Sequence, residues 1–219
     1  MGVVKLDAYV LIVRGKDSLK LLDGLSTNKV EDTCSTVFTT ASAKVIDLVD
    51  VIVKEGFIAL VGYNPHKQNL LQHVSQKILN QDITIGDASD SNNVYLSTKE
   101  MPAQESVTSI ETFRGWLIVA PKSIEIANDM SQIDFDDYRV ENMIPMQGYE
   151  VTSENHPLAC GLGHLVHESK GCYVGQEILA RMRSRGKQGK ELVRLPNPVE
   201  GATTVGKSHS LVIRRVSKN

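Results

Sequence analysis

The segment KGCYVGQE, residues 170–177, holds the side chain best suited to chemistry, the thiol of Cys172. Gly171 and Gly175 flank it and allow the backbone to approach a partner closely. Helical character begins near Gly175, and a thiol just before a helix N-terminus has a lowered pKa and a larger thiolate fraction. Lys170 is placed to add to this effect. A buried, inert cysteine is the alternative that spacing alone leaves open.

Zinc binding is a second kind of chemistry that this region permits, because thiols and imidazoles are the usual donors of tetrahedral zinc. The donors fall within 17 residues: His156, Cys160, His164, His167 and Cys172. The segment contains neither a CxxC nor an HxxxH pair, and histidines on a polar face are usually only solvated. We therefore predict no metal site.

Positive charge is concentrated after the motif, at Arg181, Arg183, Arg185, Lys187, Lys190 and Arg194. Such a run can meet a polyanion, which would be a phosphate backbone or a chain of carboxylates, or it can form a solvated face. Few aromatic residues interleave with it, and this argues against direct nucleic-acid binding.

A carboxylate stands in the other dense segment, YRVENMIPMQGYEV, residues 138–151. Glu141 lies among apolar residues there, with Arg139 nearby. A carboxylate held in this way can accept a bidentate hydrogen bond from an amino-substituted heterocycle. A surface ion pair between arginine and glutamate is the alternative.

The elements that must position these residues are mostly strands, without regular alternation with helices, so we expect an α+β fold with antiparallel sheets. We predict strands over residues 8–15, 82–86, 93–97 and 114–121, and a hairpin over 44–63. Helices are predicted over 17–24, between Asp17 as cap and Gly24 as stop, over 64–80 with Asn64 as cap, over 122–130 and over 177–185.

Bulk properties narrow the class of protein. The chain has 219 residues and a net charge of −2, so no overall charge draws it to nucleic acid or to an anionic membrane. Three cysteines do not make a disulfide framework. The apolar run near the N-terminus, broken by Asp7, is too short for a signal peptide or a membrane span. We expect a cytoplasmic protein that does not associate with membranes.

Several segments together resemble the YgfZ-type tetrahydrofolate-binding proteins, a family related to the T-protein of the glycine cleavage system. The resemblance rests above all on KGCYVGQE, with YRVENMIPMQGYEV and HPLACGLG before it. GKDSLKLLDGLSTNKV and TTASAKVIDLVDVIV resemble N-terminal motifs of that family, and the matches run in the expected order from about Val10 to Arg194.

The resemblance implies a T-protein-like α+β fold around a folate channel, with a ferredoxin-like insert. It implies a core domain of residues 1–35 plus 104–195, an inserted domain of residues 36–103, and a short β remnant, residues 196–219, of a C-terminal barrel that is largely missing. It also implies a folate-binding accessory factor for assembling or repairing iron–sulfur enzymes, alongside scaffold or client proteins, rather than a classical enzyme.

The site residues that the resemblance implies centre on Cys172 as the functional thiol. Its motif loop comprises Lys170, Gly171, Gly175 and Glu177. The residues expected to bind tetrahydrofolate or a one-carbon derivative are Glu141, Tyr138, Arg181, Tyr173 and Gln176.

The sequence departs from the T-protein at two places. The T-protein has paired aspartates where this chain reads Asp47-Leu48, and alanine-glycine is common where this chain reads Asn142-Met143. A tetrahydrofolate-dependent aminomethyltransferase is the alternative function, and it would need Asp47 or Asp50 to face the central cavity.

Overall fold

The computed structural model describes residues 2–186 and 189–216, which form three antiparallel sheets and four helices. The strands are β1 (Val3–Leu6), β2 (Ala8–Arg14), β3 (Cys34–Thr39), β4 (Val45–Lys54), β5 (Phe57–Tyr63), β6 (Thr84–Asp87), β7 (Asn92–Ser97), β8 (Thr108–Thr112), β9 (Gly115–Pro121), β10 (Lys190–Pro196), β11 (Thr204–Val205) and β12 (His209–Arg215). The helices are α1 (Ser18–Leu25), α2 (Lys67–Ser75), α3 (Gln132–Glu141) and α4 (Gln176–Ser184). The predicted α+β class with antiparallel sheets is confirmed.

The largest sheet has the strand order β3-β4-β5-β2-β6 and is covered on both faces. Side chains alternate between the faces of a strand, so Leu11 and Val13 of β2 pack with α1 and α2 while Val10 faces the other way. That other face packs against the four-stranded sheet β1-β7-β9-β8 through residues such as Val94 and Leu117. Both faces are buried, which explains why β4 and β5 are almost continuously apolar.

The third sheet has the order β10-β12-β11 and packs on α3 through Val140, Leu192 and Leu211. Arg139 of α3 also donates from Nη2 to Thr204 Oγ1 of β11 at 2.9 Å, and the same nitrogen lies 2.7 Å from Glu150 Oε2 in a buried ion pair with the turn after α3. Within residues 2–186 and 189–216, no closed barrel is formed and no helix has the length and apolar character needed to cross a bilayer.

Strand pairing crosses the predicted domain boundaries. The boundary between residues 35 and 36 falls inside β3, and β2 of the first predicted segment pairs with β5 and β6 of the second. Strand β10, placed in the core segment, pairs along its whole length with β12 of the predicted remnant. The division into three segments remains a prediction.

Three predicted helix boundaries and one predicted helix are wrong, and one of these boundaries is the end of α2, which lies at Ser75 rather than at residue 80. Helix α2 starts after His66, because Asn64 and Pro65 form a turn in which the amide of His66 bonds the carbonyl of Tyr63. Gly24 lies inside α1 rather than stopping it. Residues 122–130 form no helix, because Asp129 and Met130 bond the backbone of β1.

Asp17 does precede α1 as predicted, but its side chain makes no cap hydrogen bond and instead accepts from the amide of Asp82. Helix α3 was missed, although the sequence carries a signal for it: the Ser131 side chain accepts a hydrogen bond from the amide of Asp134, as in a capping motif.

Candidate functional site

Lys170 fixes the start of the KGCYVGQE loop. Its ammonium group donates to the carbonyl oxygens of Asp23, Ser26 and Asn28 at 2.6, 3.0 and 2.7 Å. The Asp23 carboxylate lies 2.8 Å away and supplies the counter-charge. Four oxygens thus surround an ammonium group that has only three N–H donors, so no donor is left for a further partner. The charge that was predicted to activate the neighbouring thiol is therefore bound to the end of α1 and the segment after it.

The rest of the loop is held by packing and by two backbone contacts. The Tyr173 ring is buried with Leu158 and Leu179, so this predicted folate contact is a core residue. The carbonyl of Val174 accepts from Thr39 Oγ1 at 2.7 Å. Gly175 has a φ of +86°, and a Cβ there would stand 2.8 Å from Thr40 O. Only glycine fits this approach without strain.

Cys172 is an exposed residue of this anchored loop and the exposed one among the three cysteines. Burial raises the pKa of the Cys160 thiol to about 12 and the pKa of the Cys34 thiol to about 11. Both therefore remain protonated thiols at neutral pH, and the thiolate is the form that attacks or binds metal. Cys172 is the one cysteine whose surroundings leave it open to a reaction partner.

The remaining motif residues lie around the first turn of α4. Gly171 and Glu177 are exposed, and Gln176 is half-buried as the first helical residue. Arg181 is exposed one turn further along the same helix. Their predicted roles are not tested by contacts to any ligand and stay predictions. Lys187 of the predicted basic run lies outside the described residues.

A cavity of about 430 Å³ lies beside the loop, and we call it the α2 cavity. The turn between β3 and β4 contacts both the cavity and the loop. Gly175 of the loop packs on Thr40 of this turn, and Thr40 also lines the cavity. Its polar lining includes Thr40, Ser42, Lys44, Asn69, Gln72 and His73, and no carboxylate from residues 2–186 or 189–216 lines it. The last three lie on one face of α2, because they are three and four residues apart.

His73 gives this cavity a neutral ring at physiological pH, because burial lowers the pKa of its imidazole and the charge of Lys77 lowers it further. Its Nε2 atom is buried and has no hydrogen-bond partner within the described part of the chain. Buried polar atoms normally have a partner, so this unpaired atom is a feature that a ligand in the cavity could satisfy.

Two of the predicted folate contacts, Tyr138 and Glu141, line a different cavity of about 410 Å³, which we call the α3 cavity. Glu141 Oε2 lies 2.5 Å from Arg194 Nη2, and both side chains are partly exposed. The Tyr138 hydroxyl donates to the Arg114 carbonyl at 3.0 Å. The structure therefore brings Tyr138 and Glu141 together, but in surroundings separate from those of Cys172.

The histidines and cysteines that spacing offered to zinc have other neighbours. Cys160 Sγ donates to the Glu150 carbonyl at 3.2 Å, the His167 ring accepts from the amide of Ser169, and His164 packs edge-on to Phe113. Across residues 2–186 and 189–216, no three His, Cys, Asp or Glu side chains stand close enough to hold a metal ion. The described residues do not assemble the tetrahedral site.

Asp47 forms the centre of a buried polar cluster in the large sheet. It accepts hydrogen bonds from the Tyr9 hydroxyl and, at 3.2 Å, from Gln147 Nε2, and His66 Nδ1 lies 3.8 Å away. Burial raises the pKa of the Asp47 carboxyl to about 6, although these hydrogen bonds and the nearby His66 oppose the rise. Such a group gains and loses a proton near neutral pH and is suited to general acid–base catalysis.

Asp50, the other candidate carboxylate, is fully buried and paired. It accepts from Arg114 Nη2 and, at 2.6 Å, from Ser35 Oγ. The Arg114 guanidinium also stacks on the Tyr63 ring, 4.6 Å from its centroid. Sequence reasoning missed Tyr9, His66, Arg114 and Gln147. These partners lie between 19 and 100 residues from the aspartates they approach, so no local spacing reveals them.

Comparisons with known proteins identify the fold. No family model matches the chain. A stretch of 56 residues is 36% identical to an aminomethyltransferase of Symbiobacterium thermophilum, and it covers 25% of this chain and 15% of that protein. The crystal structure of glycine cleavage system aminomethyltransferase T from Bartonella henselae matches with a TM-score of 0.77 and 12% identity, over 97% of this chain and 78% of that one. The chain has the fold of that aminomethyltransferase.

Proposed function

We propose that this protein is a folate-binding accessory factor for the assembly or repair of iron–sulfur enzymes, and that the Cys172 thiol is its working group. The observation that carries the proposal is an exposed thiol on a loop that is fixed on both sides of it. The likeness of KGCYVGQE to the YgfZ-type motif and the aminomethyltransferase fold support it. Its partners would be scaffold or client proteins in the cytoplasm.

The chemistry proposed for Cys172 is that of a thiolate. It attacks the outer sulfur of a persulfide on a partner protein, so that a new S–S bond forms on Cys172 while the partner's own sulfur leaves as a thiolate, or it binds an iron ion transiently while a cluster is transferred. Exposure lets a partner protein reach the sulfur, and the anchored backbone keeps its position constant. Cys34 and Cys160 are poor substitutes, because burial raises the pKa of both thiols.

The folate is proposed to occupy the α2 cavity. A volume of about 430 Å³ lies in the range of small-molecule sites. The amide groups of Asn69 and Gln72 and the ring of His73 offer the donors and acceptors that a pterin edge requires. Lys44 offers positive charge to the carboxylates of folate, whereas four carboxylates line the α3 cavity: Asp129, Asp134, Asp137 and Glu141.

Titration calorimetry with tetrahydrofolate tests the folate part of the proposal. Gln72→Ala is expected to weaken binding about tenfold or more, since it removes cavity hydrogen bonds. The matched control is Gln68→Ala, which changes an exposed glutamine of the same helix that does not line the cavity. Weaker binding in Glu141→Ala, with Gln72→Ala unaffected, would instead locate folate in the α3 cavity, where the resemblance puts it. If the wild-type protein does not bind tetrahydrofolate at all, the folate part of the proposed function is wrong.

Replacement of Cys172 by alanine in the source organism tests the thiol part. We expect a fall in the activity of [4Fe–4S] enzymes at unchanged abundance of those proteins. Cys34→Ala is the matched control, because it deletes a thiol that is only partly accessible. Full enzyme activity in the Cys172→Ala strain would overturn the proposal.

Tetrahydrofolate-dependent aminomethyl transfer is the second candidate, and Asp47 is the observation that favours it. Its carboxyl group has a raised pKa, of about 6, but it is fully buried and surrounded by protein partners. An assay of tetrahydrofolate-dependent aminomethyl transfer separates the two functions. Activity in the wild type that Asp47→Asn abolishes and Cys172→Ala preserves would favour the transferase.

A further inference from the structure

A cavity of about 300 Å³ lies where β2 leads into α1, and we call it the α1 recess. The end of β2, the start of α1 and the hairpin of β4 and β5 form its walls. Among the described residues, it shares none with the α2 cavity, the α3 cavity or the KGCYVGQE loop. The α1 recess is therefore separate from the sites described above.

The α1 recess is lined by three exposed cations, Arg14, Lys16 and Lys54. None of the three has an ion-pair partner within residues 2–186 and 189–216, and no carboxylate from these residues lines the recess. The Arg14 guanidinium stacks on the Phe57 ring, 5.8 Å from its centroid, which limits its freedom. Positive charge gathered around a concave surface attracts an anion.

Helix α1 begins at the recess with amide groups that lack acceptors. The first N–H groups of a helix have no partner inside it and need one outside. The Asp17 side chain, which precedes α1, accepts from the amide of Asp82 instead of capping them. The amides of Leu19 and Lys20 have no acceptor in the part of the chain that the structure describes. Free amides at the positive end of a helix dipole are a common binding site for phosphate.

Ser18 gives a second, independent indication of a ligand. This first residue of α1 lines the recess and is only 3% exposed, and its Oγ atom has no hydrogen-bond partner among the described residues. Buried polar groups are normally paired, because an unpaired one lowers stability. The Ser18 hydroxyl is thus a donor that an acceptor bound in the recess can satisfy.

We propose that the α1 recess binds the phosphate group of a small phosphate monoester. The phosphate oxygens accept from the Ser18 hydroxyl and from the amides of Leu19 and Lys20, and the three cations balance the charge. A carboxylate, with two oxygens and a single charge, would use fewer of these donors. This site is additional to the proposed function and does not depend on folate binding.

The organic part of the monoester contacts the apolar side of the recess, which includes Val53 and Phe57. A volume of about 300 Å³ holds one phosphate and a small organic group. A nucleic acid is disfavoured, because its affinity depends on many phosphates spread along a surface.

The test is an NMR titration of the backbone amides of the full chain at constant ionic strength, with inorganic phosphate and with phenyl phosphate as probes. We expect saturable shifts of the amide signals of Leu19 and Lys20. Phenyl phosphate should bind about tenfold more tightly than inorganic phosphate, since its ring leaves water. Acetate should bind about tenfold more weakly than inorganic phosphate, because it offers fewer charges and acceptor atoms.

Ser18→Ala removes the hydroxyl without breaking a hydrogen bond inside the described part of the protein. The dissociation constant of phenyl phosphate should rise about tenfold, because a hydrogen bond to a charged group is lost. Stability without phosphate should not fall, which a structural role of the hydroxyl would require. The matched control is Lys20→Gln, which changes an exposed side chain of α1 that does not line the recess and should keep the wild-type affinity.

Four results would overturn the inference. The first is the absence of saturable shifts at Leu19 and Lys20 with either phosphate probe. The second is an affinity for acetate equal to that for inorganic phosphate, and the third is an unchanged affinity of Ser18→Ala for phenyl phosphate. The fourth is binding of a single-stranded oligonucleotide, or of vesicles that contain phosphatidic acid, without binding of phenyl phosphate.

Discussion

The ammonium group of Lys170 lies 3.0 Å from the carbonyl oxygen of Ser26, a residue 144 positions earlier in the chain. The carbonyls of Asp23, Ser26 and Asn28 form a cage around this ammonium group. The cage holds the KGCYVGQE loop at the end of α1. The position of Cys172 therefore depends on a contact with the N-terminal part of the chain.

Replacing Lys170 by methionine is expected to lower the free energy of unfolding by about 2–3 kcal/mol, because hydrogen bonds to a charged group are lost and buried carbonyls are left unpaired. Urea denaturation measures this loss. The labelling rate of Cys172 should change as well, since its loop is released. Lys29→Met removes an exposed ion pair with Glu31 and serves as the control. Equal stability of the two variants would show that the cage does not anchor the loop.

Gly175→Ala tests how tightly the loop packs on the turn after β3. Alanine at a positive φ costs about 1–2 kcal/mol by itself, and the new methyl group would also press on Thr40 O. Gly56→Ala is the matched control, because its φ of +80° is similar and nothing lies within 4 Å of the added Cβ. We expect Gly175→Ala to be the more destabilising change in thermal denaturation. Similar losses would mean that the packing contact contributes little.

The pKa of Asp47 predicts a pH dependence of stability. Its value rises from the ordinary one to about 6 on folding, so the folded state binds the proton more tightly than the unfolded state. The contribution of this group is fully present below about pH 4 and is lost as pH rises through 6, by about 3 kcal/mol in total.

The measurement is urea denaturation of the wild type and of Asp47→Asn between pH 4 and pH 7. Relative to the wild type, the asparagine variant should become steadily more stable across this range, because it lacks the titrating group. A stability difference that does not change with pH would show that Asp47 has an ordinary pKa.

The three thiols should differ sharply in labelling by iodoacetamide at pH 8. The native protein is expected to gain one adduct, on Cys172, since Cys34 and Cys160 are kept protonated by burial. Peptide mass spectrometry locates the adduct, and labelling in urea should give three. Rapid labelling of Cys160 in the folded protein would contradict its burial.

Much of the fold is readable from the sequence because its signals are local. Apolar runs on either side of a Lys-Glu-Gly turn specify the β4–β5 hairpin, and the basic amphipathic run specifies α4. Helix α3 is the exception. It is acidic and weakly amphipathic, and it is held by Phe135 against the sheets and by Arg139 against Glu150. Those contacts form only in the folded chain.

The candidate site was likewise predicted only where its signal is local in the sequence. The sequence alone singles out Cys172 and its loop, since the motif is contiguous. It does not reveal that Lys170 is bound by carbonyls, that Tyr173 is a core residue, or that Asp47 meets Gln147 across 100 residues. A side chain's partners depend on the tertiary fold, and spacing records only neighbours along one element.

The Glu150 carboxylate has a consequence for synthesis of this chain on the ribosome. It accepts hydrogen bonds at 2.6 Å from the hydroxyls of both Thr203 and Thr204, and it pairs with the buried Arg139. More than fifty residues separate the carboxylate from these threonines. Until they leave the exit tunnel, the nascent chain carries a charged pair whose hydrogen bonds are incomplete. Native packing of α3 must therefore wait until Thr203 and Thr204 have been synthesised, and a nascent-chain protease assay should show α3 protected only after residue 204 has emerged.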